Sequence, residues 1–233
     1  MFRHSTVLLL LITGYVQAGQ LSIVIDDFGY RPATEKQVLA MPVNISIAVL
    51  PDAPYARKMA TQAHRQGREV LIHLPMAPLS KQPLERNTLM PSMSRDEIAR
   101  IIRDAMHKVP YAVGLNNHMG SAMTSSLSGM QNVMHVLNYY SFYFLDSMTI
   151  NNSQSVTAAG NRVKVIKRNV FLDNTKNETN IRLQFQRAMA LARRNGSAIA
   201  IGHPHPTTVL VLQKMLSNLP SDIILVRPSM LLY

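Results

Sequence analysis

The 233-residue chain has no cysteine, so neither a disulfide nor thiolate chemistry is available, and any metal must be held by His, Asp or Glu. Tryptophan is absent and aromatics make up only 6%. Acids are scarce: 13 against 24 Lys and Arg, for a formal net charge of +11. The basic residues are scattered, as in Arg57, Lys58, Arg65 and Arg68 or Arg187, Arg193 and Arg194. No run of five occurs and no RNA-type aromatic motif accompanies them, which argues against nucleic acid as a partner. Solvated helix faces account for much of this charge, and an anionic envelope polymer or membrane surface suits it better than nucleic acid does. No linker, internal repeat or low-complexity tract divides the chain. No Gly-x-Ser-x-Gly elbow supports a serine acyl enzyme. The first strand is followed by Asp26-Asp27-Phe28-Gly29-Tyr30-Arg31-Pro32 and not by a glycine-rich phosphate loop. Two carboxylates there repel a pyrophosphate, which disfavours nucleotide binding.

Long apolar runs are also missing. The stretch Val7–Ile12 is too short to span a bilayer. With the basic start Arg3-His4 and the small-residue site Val16-Gln17-Ala18 it reads as a secretory signal over residues 1–18, an uncleaved N-terminal anchor being the alternative. The expected mature protein is one domain over 19–233, exported to the periplasm.

What is abundant is apolar sequence in short pieces, 47% of residues in all. Strands are predicted at 21–26, 44–50, 69–74, 112–117, 142–147, 163–171, 198–202 and 223–227. Most are continuous apolar runs, as in parallel strands buried on both faces. Helical periods lie between them. Ser94-Arg95-Asp96-Glu97 is a capping box ahead of Ile98, Ile101, Ile102 and Ala105. Ile181, Phe185, Ala188 and Ala192 form another stripe, stopped at Gly196. Residues 75–93 carry four prolines and little period, which suggests a long loop over one face. The alternation predicts an α/β fold, a distorted (β/α) barrel of about seven or eight parallel strands, with an open doubly wound sheet as runner-up.

In such folds the loops after the strands open on one face, where polar groups distant in sequence meet. Strands end here in Asp26-Asp27, His73, Asn116-Asn117-His118, Asp146, Asp173 and His203-Pro204-His205. Neighbouring strand residues point opposite ways, so Asp26 and Asp27 share a site only if the backbone turns between them. One would then bind a metal and the other accept a proton from a metal-activated water. A turn cap and a buried salt bridge are the plainer roles for the same pair. His73 alone reads equally as a hydrogen-bonded core residue, His118 as a turn residue and His205 as an exposed one. A carboxylate with two imidazoles suits a divalent metal.

Together, Ile25-Asp26-Asp27-Phe28-Gly29, Gly67-Arg68-Glu69 leading to His73-Leu74-Pro75-Met76, Leu115-Asn116-Asn117-His118-Met119-Gly120, and Ile201-Gly202-His203-Pro204-His205-Pro206 closely resemble the divergent polysaccharide deacetylase family of Gram-negative envelopes. The resemblance runs from about Gln20 to Tyr233. It implies a distorted β/α barrel that removes N- or O-acetyl groups from sugars with a divalent metal, commonly zinc. Matched to the family's motifs, Asp26 is the general base, Asp27 and His73 are metal ligands, and His203 protonates the leaving group. Asp146 matches the acid that orients that histidine. The usual second ligand histidine is replaced by Ala77, with His118 as the candidate substitute. Asn116-Asn117-His118 stands in place of the usual arginine motif. His205 and Asn117 are expected at the substrate, a peptidoglycan or other envelope carbohydrate. Two rival readings remain: a catalytically silent envelope glycan-binding or scaffold protein, and a glycosidase pairing Asp26 with Asp146 or Asp173. The missing tryptophan removes the usual platform for sugar stacking, for which Tyr30, Tyr55, Tyr139 and Tyr140 are the available substitutes.

Overall fold

A computed structural model of the protein describes residues 18–232. The expected signal segment therefore lies outside the described residues except for Ala18. Among the described residues no helix is long and apolar enough to cross a membrane.

The chain alternates strand and helix: β1 (Gly19–Phe28), α1 (Pro32–Leu39), β2 (Ser46–Val49), α2 (Ala56–Arg65), β3 (Val70–Met76), α3 (Arg95–Lys108), β4 (Ala112–Met119), α4 (Ser121–Ser125), α5 (Leu127–Tyr139), β5 (Tyr143–Asp146), α6 (Ser155–Ala159), β6 (Val165–Lys167), β7 (Val170–Phe171), α7 (Glu178–Asn195), β8 (Ser197–Gly202), α8 (Pro206–Leu216) and β9 (Ile223–Leu225), with a final 3₁₀ turn at Pro228–Leu231. All strand pairings are parallel, in the order β6-β5-β4-β3-β2-β1-β8-β7, and β9 adds to β1. The sheet curls into an incompletely closed barrel. The predicted strand 163–171 is in fact two strands at the opposite ends of this path. Between them, Arg168 N–H donates to Asp146 O at 2.9 Å and Asn169 N–H to Ile199 O at 2.8 Å, so two residues span the seam from β5 to β8.

Period-two alternation sorts the strand side chains into two cores. Ile23, Ile25, Ile47, Ile72, Leu115 and Phe144 face the helices. Val24, Ala48, Leu71, Leu145, Ile199 and Ile201 fill the barrel, closed from below by Val226 and Leu231. Gly114 is required inside: a Cβ there would sit 2.7 Å from the Tyr143 ring, whose hydroxyl donates to buried Glu69 at 2.6 Å. The helices follow the sequence signals. Ser94 Oγ accepts from Glu97 N–H while Glu97 accepts from Ser94 N–H, the reciprocal capping box. Residues Ile98, Ile101, Ile102 and Ala105 form the buried face, and Gly196 ends α7 at φ 81°.

The interior alternation continues upward into polar residues. Asp26, His73 and Asn116 follow Val24, Leu71 and Gly114 by two positions, so the same face carries them to the mouth of the barrel.

Candidate active site

The Asp26-Asp27 pair depends on a backbone irregularity. The pairing of β1 with β2 shifts register between Ile25 and Phe28, and Asp27 takes φ 56°. A non-glycine residue there costs on the order of 1–3 kcal/mol, least for Asp and Asn. The bulge turns the second carboxylate toward the mouth occupied by the first, where a regular strand would send it outward. Beyond it, Gly29 lies at φ 116° with Ala53 packed where its side chain would be. Buried Glu35 of α1 accepts from the N–H groups of Gly29, Tyr30 and Arg31 at 2.7–3.0 Å, fixing the turn.

Asn116 joins the base candidate to the ligand candidates. Its amide nitrogen donates to both Asp26 oxygens at 2.9 and 3.0 Å. Its carbonyl accepts from His73 Nδ1 at 2.9 Å. A proton on Nδ1 leaves the lone pair of a neutral His73 ring on Nε2. That atom lies 3.3 Å from Asp27 Oδ1 and 3.1 Å from His118 Nδ1, and Asp27 Oδ1 lies 3.2 Å from His118 Nδ1. Asp27 Oδ1 is buried, and despite these short contacts no donor is aligned to hydrogen-bond it.

Three ligand-type atoms thus stand in a triangle of 3.1–3.3 Å sides. Metal bonds of about 2.0–2.2 Å in tetrahedral array put ligand atoms roughly 3.3–3.6 Å apart. The triangle is slightly tighter than that, and its donor set and unpartnered oxygen suit a divalent cation. The two carboxylates favour a positive charge between these groups. Burial opposes it on His73, but Asp26 and Asp27 raise that ring's pKa. Burial alone would raise the Asp27 carboxyl, but the His118 and His73 rings hold it well below the usual carboxylate range. Asp26, fully enclosed, is pushed up by burial against the lowering effect of His73 and His203.

A second cluster stands beside the first, because Gly202 of β8 pairs with Ile25 of β1. His203 Nδ1 donates to Asp173 Oδ1 at 2.9 Å, and Asp173 Oδ2 accepts from His203 N–H at 2.7 Å and Thr208 Oγ at 2.8 Å. Burial opposes charge on His203, but Asp173 outweighs it and lifts the ring to about 9. His203 is therefore an imidazolium at neutral pH. His205 completes a second Asp-His-His group. Its Nδ1, however, accepts from Arg31 at 3.2 Å, and Asp173 is already fully hydrogen-bonded. This group suits a proton donor and not a metal.

Comparisons with known proteins place the chain by family and fold. The sequence profile for the divergent polysaccharide deacetylases matches residues 23–232. The chain belongs to that family. Among its relatives, the uncharacterized protein YibQ of Escherichia coli is 68% identical over 225 residues, 96% of this chain and 70% of that one. An uncharacterized Haemophilus influenzae protein is 43% identical over 208 residues, 89% of this chain and 74% of that one. Of solved structures, an uncharacterized Agrobacterium tumefaciens protein superposes with a TM-score of 0.87 at 20% identity, covering 92% of this chain and 89% of the other. The peptidoglycan deacetylase PdaC of Bacillus subtilis gives 0.54 at 15% identity over 92% and 90%. At these identities the likeness shows the fold, the barrel of carbohydrate deacetylases.

Within this family framework the expected site residues divide. Asp26, Asp27, His73, His118 and His203 converge at the barrel mouth. Ala77 is buried, and its carbonyl accepts from Ala122 and Met123 N–H at the start of α4. His118, two residues past Asn116 on the same strand face, places a second imidazole 3.1 Å from His73 Nε2. Asp146 does not orient His203. Its carboxylate accepts from Met148 N–H and the Ser153 and Ser155 hydroxyls at 2.6–2.8 Å, organising the loop after β5. The acid on His203 is Asp173. Asn117 does not face the substrate: it points away from the barrel interior, accepting from Ser147 N–H and donating to Met119 O. His205 does lie at the mouth, next to Arg31.

Proposed function

We propose that the protein is an exported, metal-dependent hydrolase that removes acetyl groups from a carbohydrate of the cell envelope. The observation that carries this reading is the Asp27–His73–His118 triangle with its unpartnered carboxylate oxygen, set beside a cationic histidine. Residues 1–18 as a secretory signal and the fold shared with a peptidoglycan deacetylase support the location and the substrate class.

Asp27, His73 and His118 would hold the cation, with zinc the first choice and cobalt, nickel or iron compatible with the same donors. A divalent ion there would supply a Lewis acid for the acetyl carbonyl and would lower the pKa of a water to about 7. Asn116 keeps His73 in the tautomer whose Nε2 is free to coordinate. Asp26, a carboxylate with its proton affinity raised by burial, accepts the proton of the attacking water. His203, charged and held by Asp173, delivers a proton to the departing sugar nitrogen or oxygen. The two protons are handled by separate groups with opposed environments, as hydrolysis at neutral pH requires.

The silent-scaffold reading draws on Ala77, and the imidazole of His118 beside His73 speaks against it. The glycosidase reading needs a free second carboxylate, and both Asp146 and Asp173 are taken. The test is acetate release from acetylated amino-sugar oligomers and peptidoglycan fragments, with zinc, cobalt, nickel and manganese supplied in turn. Release that depends on added metal is expected. No release from any of them would return the protein to the scaffold reading.

A further inference from the structure

One cluster at the mouth is not used by this chemistry. Arg31 lies in the turn after β1, Lys176 in the loop before α7, and His205 in the turn after β8. Arg31 and His205 meet from loops distant in sequence, and Lys176 is near enough for its charge to act on His205. Arg31 donates to His205 Nδ1, so the proton of that neutral ring is on Nε2 and the ring presents a donor outward. Burial, with the field of Lys176 and Arg31, pushes the His205 ring below the ordinary histidine value. The His205 ring lies 5.9 Å from that of the proton donor His203. Among the described ion pairs neither Arg31 nor Lys176 has a partner. Of the acids beside these turns, Asp173 accepts from three donors and Glu35 from three backbone N–H groups.

Unpaired basic residues are common on so cationic a chain. These are distinguished by placement and order. The Arg31 backbone is fixed by Glu35 and its guanidinium is seated on His205, beside the group that protonates the leaving sugar. A guanidinium with free donors, an imidazole N–H and an ammonium form a receptor with donors only, and its complement is a carboxylate.

We propose that Arg31, Lys176 and His205 bind a carboxylate borne by the glycan next to the acetylated position, making the protein selective for acidic over neutral glycans. This rests on the deacetylase reading for its substrate class but is tested by binding, which needs no turnover. The carboxylate can belong to a lactyl ether, as on muramic acid, or to a uronic acid, and separate probes distinguish them. Zinc-loaded full-length mature protein is titrated calorimetrically with three tetramers. One is neutral N-acetylglucosamine, one alternates it with N-acetylmuramic acid, and one alternates it with glucuronic acid.

At least one acidic tetramer should bind about tenfold or more tightly than the neutral one, a preference that weakens with added salt. Arg31→Ala and Lys176→Ala should each reduce that ratio to about threefold or less, while Arg31→Lys keeps part of it. Lys176 is exposed, so its variant separates binding from folding. Equal affinity for acidic and neutral tetramers, no detectable binding of either acidic one, or variants that leave the ratio unchanged would each overturn the proposal. If the preference holds while no acetate is released from any tetramer, the deacetylase reading fails and this one stands.

Discussion

Two Asp–His clusters sit side by side at the barrel mouth and differ in one respect. In the Asp173–His203 pair every carboxylate lone pair that matters has a donor, from His203 twice and Thr208 once. In the Asp27–His73–His118 group three ligand-type atoms lie 3.1–3.3 Å apart, and Asp27 Oδ1 has no aligned donor. The same residue types thus form a closed hydrogen-bonded pair in one place and, in the other, a group with an unpartnered oxygen that suits a cation. What decides is the partner on the far side of each ring. Asp173 accepts from His203 Nδ1, whereas Asn116 accepts from His73 Nδ1 and turns the Nε2 lone pair toward Asp27. The same lesson applies to Asp26, which shares Asn116 with His73 and is the carboxylate that this neutral amide leaves available for a proton.

The comparison can be broken most severely at the receptor. His73→Ala or His118→Ala should take bound metal from about one ion per chain to near none and abolish acetate release, while Asp173→Asn keeps the metal. Elemental analysis of the folded variants checks both halves. Next in size, Asp26→Asn should retain the metal but lower acetate release by roughly 10²-fold or more, as loss of a general base does. Metal loss in this variant would instead make Asp26 an orienting group for His73.

The third effect concerns pH. His203 has its folded pKa raised, to about 9, so the stabilisation from its pair with Asp173 is complete below the ordinary histidine value and lost as pH rises through about 9. Asp173 has its folded pKa lowered. Its share is present above the ordinary carboxylate value and lost as pH falls through the folded one. Asp173→Asn should therefore move the alkaline limb of kcat/KM to lower pH, and NMR titration of the His203 ring should show the same shift. Asp146→Asn should leave that titration in place and cost about 1–3 kcal/mol through its lost loop bonds, read by denaturant unfolding. Smallest is Ser94→Ala, which removes the cap of α3 for about 1 kcal/mol without touching metal or rate.

These distinctions were unevenly legible in the sequence. The barrel and the residues at its mouth follow from apolar runs ending in acids and histidines, because burial on both faces dictates the runs and parallel strands dictate a common end. The pairing of His203 with Asp173 was hidden because residues 163–171 read as one strand. Only the break at Arg168-Asn169 shows that Asp173 ends a strand next to β8, while Asp146 ends one several strands away. Asn117 was misplaced by one position: alternation from His118 puts Asn116 inside and Asn117 outside. That parity was the available signal for Asn116, a neutral residue that composition and charge pass over. The bulge at Asp27 left no mark beyond the adjacent acids, since an αL residue other than glycine has no distinctive sequence.

The central claim is that Asp27, His73 and His118 form one cation site. Its most direct test is zinc titration of the metal-stripped, folded protein, followed by calorimetry and by elemental analysis after dialysis. About one ion per chain is expected for the wild type, with loss of that site in His118→Ala. A folded wild-type protein that takes up no zinc, or a His118→Ala variant that binds it as tightly, would contradict it.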